Sequence, residues 1–138
     1  MAGFDELKTL HTALIDARNG YDEAIKDATE AGLRAVFEKV RGLHLKAHEA
    51  VHALLRSQGE KPDDSGSFMS TVHETVIGVR SALVGLDRGS LSAFANGEEH
   101  TIRKYDDAMA AVPAAATELR GHKDALEAAV GEMKRMSP

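Results

Sequence analysis

The sequence predicts an all-α protein built as a bundle of helices, and three observations carry that prediction. Apolar residues recur at heptad-like spacing in every long segment. The aromatic content is thin, two tyrosines and four phenylalanines with no tryptophan, so alanine, leucine and valine must do the packing. That mixture suits helices better than sheets. At 138 residues the whole chain, 1–138, reads as a single domain large enough to bury its own core.

Five segments follow in order. The first predicted helix spans about 5–26, with the stripe Leu7, Leu10, Leu14, Ala17, Tyr21 and Ala24. Asp27–Gly32 bends it into the second helix, about 30–57, striped by Leu33, Phe37, Val40, His44, Ala47, Val51 and Leu54. Gly59 to Ser67 is the one long cluster of helix breakers. The third helix, about 67–86, carries Met69, Val72, Val76, Val79, Leu83 and Leu86. Gly85–Gly89 makes a tight turn into the fourth, about 90–112, striped by Leu91, Phe94, Glu98, Thr101, Tyr105 and Ala108. Pro113 suits the first turn of a fifth helix, about 114–136, with Leu119, His122, Leu126, Ala129, Met133 and Met136. Gly20, Gly42, Gly78 and Gly97 fall inside helices, where each costs about 1 kcal/mol against alanine unless close packing or a ligand uses the space.

The third helix has two readable starts. Ser65 or Ser67 caps it early, which leaves a short loop and an up-down-up-down bundle. Thr71 with Glu74 makes a later capping box, which leaves about twelve connecting residues, enough to cross the bundle lengthwise at up to roughly 40 Å. Both topologies stay open at this point.

Composition removes several function classes. Cysteine is absent, which excludes disulfides, thiolate metal sites and cysteine nucleophiles. No apolar run is long enough to span a membrane, and the N-terminal residues carry no secretory pattern, so the expected address is the cytoplasm. A net charge of −5 without a basic stripe argues against nucleic acid. No phosphate loop or nucleophile elbow is present. Seven histidines are many for this length, and protonating all of them moves the formal charge from −5 to +2.

The polar residues that break the apolar stripes are the candidate site. Glu98 sits among Phe94, Leu91, Thr101 and Tyr105, and a buried carboxylate is costly unless paired, hydrogen-bonded or bound to metal. His44 lies on the stripe of the second helix; His11 and His73 lie one position beyond theirs. Imidazole and carboxylate from facing helices suit iron, zinc or manganese. The metal set is therefore Glu98, His73, His44, His48 and His11, with Tyr21 and Tyr105 as hydrogen-bond donors behind it. An antiparallel first pair sets His11 beside Val51, between His48 and His52, and sets His44 near the level of Glu98. Two polar layers follow, with His73 at the first level in an up-down bundle and displaced in a crossover. The run His48-Glu49-Ala50-Val51-His52 also matches the zincin pattern, and Glu49 with His52 matches half of a di-iron motif. With Val51 inward, Glu49 and His52 fall toward the surface, so this stretch is a surface alternative to the bundle site.

Gly20-Tyr21, Ala35-Val36-Phe37, Pro62 to Ser67, Val72-His73, Ala82-Leu83, Gly85-Leu86-Asp87, Gly97-Glu98 and Tyr105-Asp106 run in order along nearly the whole chain. In these pieces the sequence resembles a family of small bacterial proteins of unknown function in the ferritin-like superfamily, named after a Pseudomonas hypothetical protein. The resemblance implies a ferritin-like antiparallel four-helix bundle with an additional C-terminal helix, and favours the crossover. It implies importance for Tyr21, His73, Glu98 and Tyr105, and it implies no activity. The chain lacks the superfamily's Glu-x-x-His on the fourth predicted helix and an inward carboxylate on the first.

Three readings result. The first is a metal-binding bundle, with iron or zinc, in stress or metal handling. The second is a structural or interaction protein in which Glu98 joins a buried His-Glu-Tyr network. The third is a metal-dependent oxidase or a hydrolase using His48-Glu49-x-x-His52. A symmetric homodimer is compatible with the first two.

Overall fold

The structure is a computed structural model that describes residues 2–62 and 86–138. The third predicted helix, and His73 with it, lies outside the described residues except for Leu86. The described residues form four α-helices: α1 (Ala2–Asp27), α2 (Ala31–Ser57), α3 (Leu91–Ala111) and α4 (Ala116–Met136). Short 3-10 turns, Arg88–Ser90 and Pro113–Ala115, lead into α3 and α4. None of these helices is long and apolar enough to cross a membrane.

Local chemistry explains the helix ends. α2 stops in a Schellman motif. Gly59 takes a φ of 78°, its N–H donates to Arg56 O at 3.0 Å, and the Glu60 N–H donates to Leu55 O at 3.0 Å. Asp87 starts the turn before α3 by accepting the Gly89 N–H on Oδ1 at 2.9 Å. Pro113 begins the turn before α4, where its missing N–H is no loss.

Specific contacts fix the helix directions. Leu86 pairs with the α1–α2 turn: its N–H donates to Asp27 O and its carbonyl accepts the Thr29 N–H, both at 2.9 Å. Arg88 adds an ion pair to Glu30 at 2.7 Å. At the other end Lys8 meets Glu60 at 2.6 Å. α1 packs on α2 and α3, and α4 packs on the same two helices from the far side. Tyr21 meets both His44 and Glu98, Lys39 meets Glu132, and Lys123 meets Asp106. Every neighbouring pair among the four is therefore antiparallel.

The C-terminal helix packs into the core of the described bundle. Its Leu119, Leu126, Ala129, Val130 and Met133 are buried in the same core as Leu14, Phe37 and Leu91, because the space between α2 and α3 is closed by nothing else among the described helices. Glu60 stands at the level of Lys8 and Leu86 at that of Ala28, about 30 Å apart at 1.5 Å per helical residue, so α2 ends and α3 begins at opposite ends of the bundle. The start of the third predicted helix, on which the up-down-up-down and crossover readings turn, lies outside the described residues.

The predicted stripes turn inward with small shifts. Leu55 rather than Leu54, and Ala95 rather than Phe94, occupy the fully buried positions. Gly42 and Gly97 lie on exposed faces, and a Cβ added at either meets nothing within 4 Å. Among the described residues, no packing uses the missing methyl group. Gly42→Ala and Gly97→Ala are each expected to stabilise the fold by about 0.5–1 kcal/mol, read as a higher urea midpoint at unchanged slope.

Candidate metal centre

The bundle interior holds two polar layers. The first joins α1 to α2. Heptad spacing leaves His11 just past Leu10 on the α2-facing side of α1, where it is 1% exposed. His48 and His52 lie one helical turn apart on α2 and share a face, His48 9% exposed and His52 half-buried. The His11 ring centroid stands 4.6 Å from that of His48 and 5.5 Å from that of His52. One ligand nitrogen from each residue lies within 4.8 Å of the other two. Tetrahedral coordination at about 2.0–2.1 Å puts nitrogens roughly 3.3 Å apart, so ring rotations closing at most about 1.5 Å bring the set onto one ion. Glu49 is exposed and points away, so the zincin-like run contributes its histidines without its glutamate.

The second layer joins α1, α2 and α3. Glu98, 3% exposed, points inward from α3. Tyr21 Oη donates to its Oε1 at 3.0 Å, and Nε2 of His44 stands 2.9 Å from each carboxylate oxygen. Among the described residues, Oε2 has no donor of its own. Tyr21, Phe37 and Phe94 pack as an aromatic cluster over this group, with centroids 4.8–5.9 Å apart. Burial first, and the Glu98 charge second, push the Tyr21 hydroxyl well above the usual phenol range. Tyr105 is raised by the same two causes in the same order.

The structure thus divides the sequence-derived set. His11 and His48 fall together with His52, which the sequence reading had assigned to the surface alternative. Glu98 and His44 fall together with Tyr21 and apart from the trio. The shared face of His48 and His52 was legible from their spacing. What the stripe alone missed is that His11 faces the same edge of α2, which keeps His52 half-covered. His122, half-buried on α4 and lowered chiefly by burial, joins neither layer.

The tyrosines make the second layer testable by pH. Both phenols stay protonated in the folded state well past the value near 10 at which they ionise in an unfolded chain. Their contribution to stability is complete below about pH 10 and falls above it, by about 1.4 kcal/mol per tyrosine per pH unit. The chain has two tyrosines and no tryptophan, so absorbance at tyrosinate wavelengths reads them cleanly. Tyrosinate is expected to appear only together with loss of helical circular dichroism, and Tyr21→Phe to flatten the alkaline loss of stability. A tyrosinate signal in the intact fold overturns the account.

Neither the curated proteins nor the solved structures searched contain a match to the chain. A family model, described as a domain of unknown function (DUF2383), matches residues 3–111. The match runs from the start of α1 to the end of α3, spanning both polar layers and leaving α4 outside. The chain belongs to the DUF2383 family, whose description carries no activity.

Proposed function

We propose that this protein is a ferritin-like bundle that binds one transition-metal ion, zinc or iron, at His11, His48 and His52, in metal handling or stress. The observation that carries the reading is the meeting of three imidazole nitrogens from two helices within 4.8 Å. Imidazole is the donor type that zinc and iron share. The ferritin-like part rests on the antiparallel packing of α1, α2, α3 and α4. A di-iron oxidase is disfavoured by the donor set. Such centres draw several glutamates from facing helices. Among the described residues, the buried carboxylate facing the core is Glu98, and Tyr21 and His44 engage it. His73 remains a fourth ligand expected from sequence alone.

The Glu98 layer favours a second role beside metal binding. A carboxylate shared by Tyr21 from α1 and His44 from α2 ties three helices into one arrangement, as buried polar networks do when their members are satisfied. In this reading Glu98 specifies packing and the trio holds metal.

Metal content of untagged protein by mass spectrometry, after loading with Zn2+ or with Fe2+ under anaerobic conditions, tests both roles. About one ion per chain is expected, lost in His48→Ala and His52→Ala and retained in Glu98→Gln. Loss in Glu98→Gln with retention in His52→Ala would move the site to the second layer. No metal in any sample removes the proposal.

A further inference from the structure

We infer that the trio selects Zn2+ over Fe2+, a narrowing that rests on the metal-binding reading above and makes the bound ion redox-inert. Three imidazoles from two helices are the donors that the described residues bring together. For a given ligand set, affinity for divalent first-row ions rises from manganese through iron to copper, and zinc stands above iron. The order is the same for oxygen donors as for nitrogen, so it does not turn on which ligands complete the shell. Imidazole widens the gap, because it is a softer base than carboxylate and rewards the more polarising later ions. Geometry acts in the same direction. His48 and His52 are fixed one turn apart on α2 and His11 on α1, so ring rotation must bring nitrogens that lie within 4.8 Å of one another onto one ion. His11 and His48 are buried, and close packing limits how far their rings adapt. The ion therefore takes the angles that the two helices offer. Zn2+, with a filled d shell, has no angular preference to lose. Fe2+ has an incomplete shell whose stabilisation depends on the ligand angles, so an imposed arrangement costs it more. The chain has no cysteine, so no thiolate elsewhere in it competes for the zinc.

The test is anaerobic equilibrium dialysis of the 138-residue chain at neutral pH against equal free concentrations of Zn2+ and Fe2+, set by nitrilotriacetate buffers, with both metals measured on each side of the membrane. Zn2+ is expected to fill the site with at least about a hundredfold preference. His11→Ala, His48→Ala and His52→Ala are each expected to weaken Zn2+ binding by at least about tenfold, with circular dichroism showing which variants have kept their helices. His52→Ala changes the half-buried member of the trio and so disturbs the core least. Glu98→Gln is expected to leave the preference unchanged. Equal occupancy by the two ions, or an excess of iron, overturns the inference while metal binding stands. A zinc preference that survives every histidine substitution places the selective site elsewhere and overturns it too. If neither ion binds, the metal-binding reading fails and this inference with it.

Discussion

The register of α1 against α2 is the constraint on which the rest of the structure depends. Both helices are longer than the distance over which a single contact controls alignment, so the turn between them must set it. Asp27 and Thr29 do so, the Asp27 carbonyl accepting the Leu86 N–H and the Thr29 N–H donating to the Leu86 carbonyl, with the Thr29 hydroxyl adding a 2.8 Å bond to the same carbonyl. Arg88 reaches back to Glu30, and Arg34 closes the turn from α2 by donating to Ala28 O. From this fixed end, antiparallel pairing brings Asp22 to Arg41, Tyr21 to His44, and His11 to His48 and His52. A slip of one residue on either helix rotates its side chains by about 100° and disperses both polar layers.

The two layers solve different electrostatic problems. Glu98 places a carboxyl group in the core, and side chains from two other helices engage it where it stands. Tyr21 and His44 contribute hydrogen bonds to a carboxylate, which are stronger than those between neutral groups, and the aromatic lid of Phe37 and Phe94 excludes the water that would compete. The trio gathers three imidazoles from two helices in one region. An arrangement of this kind gains most when a cation occupies it, and the free energy of binding then adds to the stability of the α1–α2 pair.

Much of this was legible in the sequence, and the reason differs by residue. The heptad stripes identified α1, α2, α3 and α4 because helices bury a fixed angular sector, and boundaries moved by only a few residues where 3-10 turns precede α3 and α4. Glu98 was legible because a charged residue on an apolar stripe contradicts its surroundings. The pairing of His11 with Val51, and hence with His48 and His52, followed from counting outward from a short turn. The neighbours of α4 were not legible. Its apolar face reads the same whichever helices it packs on, and the long-range pairs Lys39–Glu132, Lys134–Glu99 and Lys123–Asp106 show that they are α2 and α3.

The position of the layers along the helices decides which partners each histidine of α2 meets. His44, His48 and His52 occupy successive turns of one face of α2, yet they meet different partners because α1 presents Tyr21 at one level and His11 at the other. The same residue type thus meets a carboxylate at the first level and other imidazoles at the second. What distinguishes the two is the opposite helix: Glu98 of α3 lies against Nε2 of His44, whereas His11 of α1 lies against His48 and His52. The ladder on α2 is therefore neutral in itself, and the residues facing it decide its chemistry. Glu98 lies one layer away with Tyr21 and His44, and the donors that the described residues bring together in the trio are nitrogens.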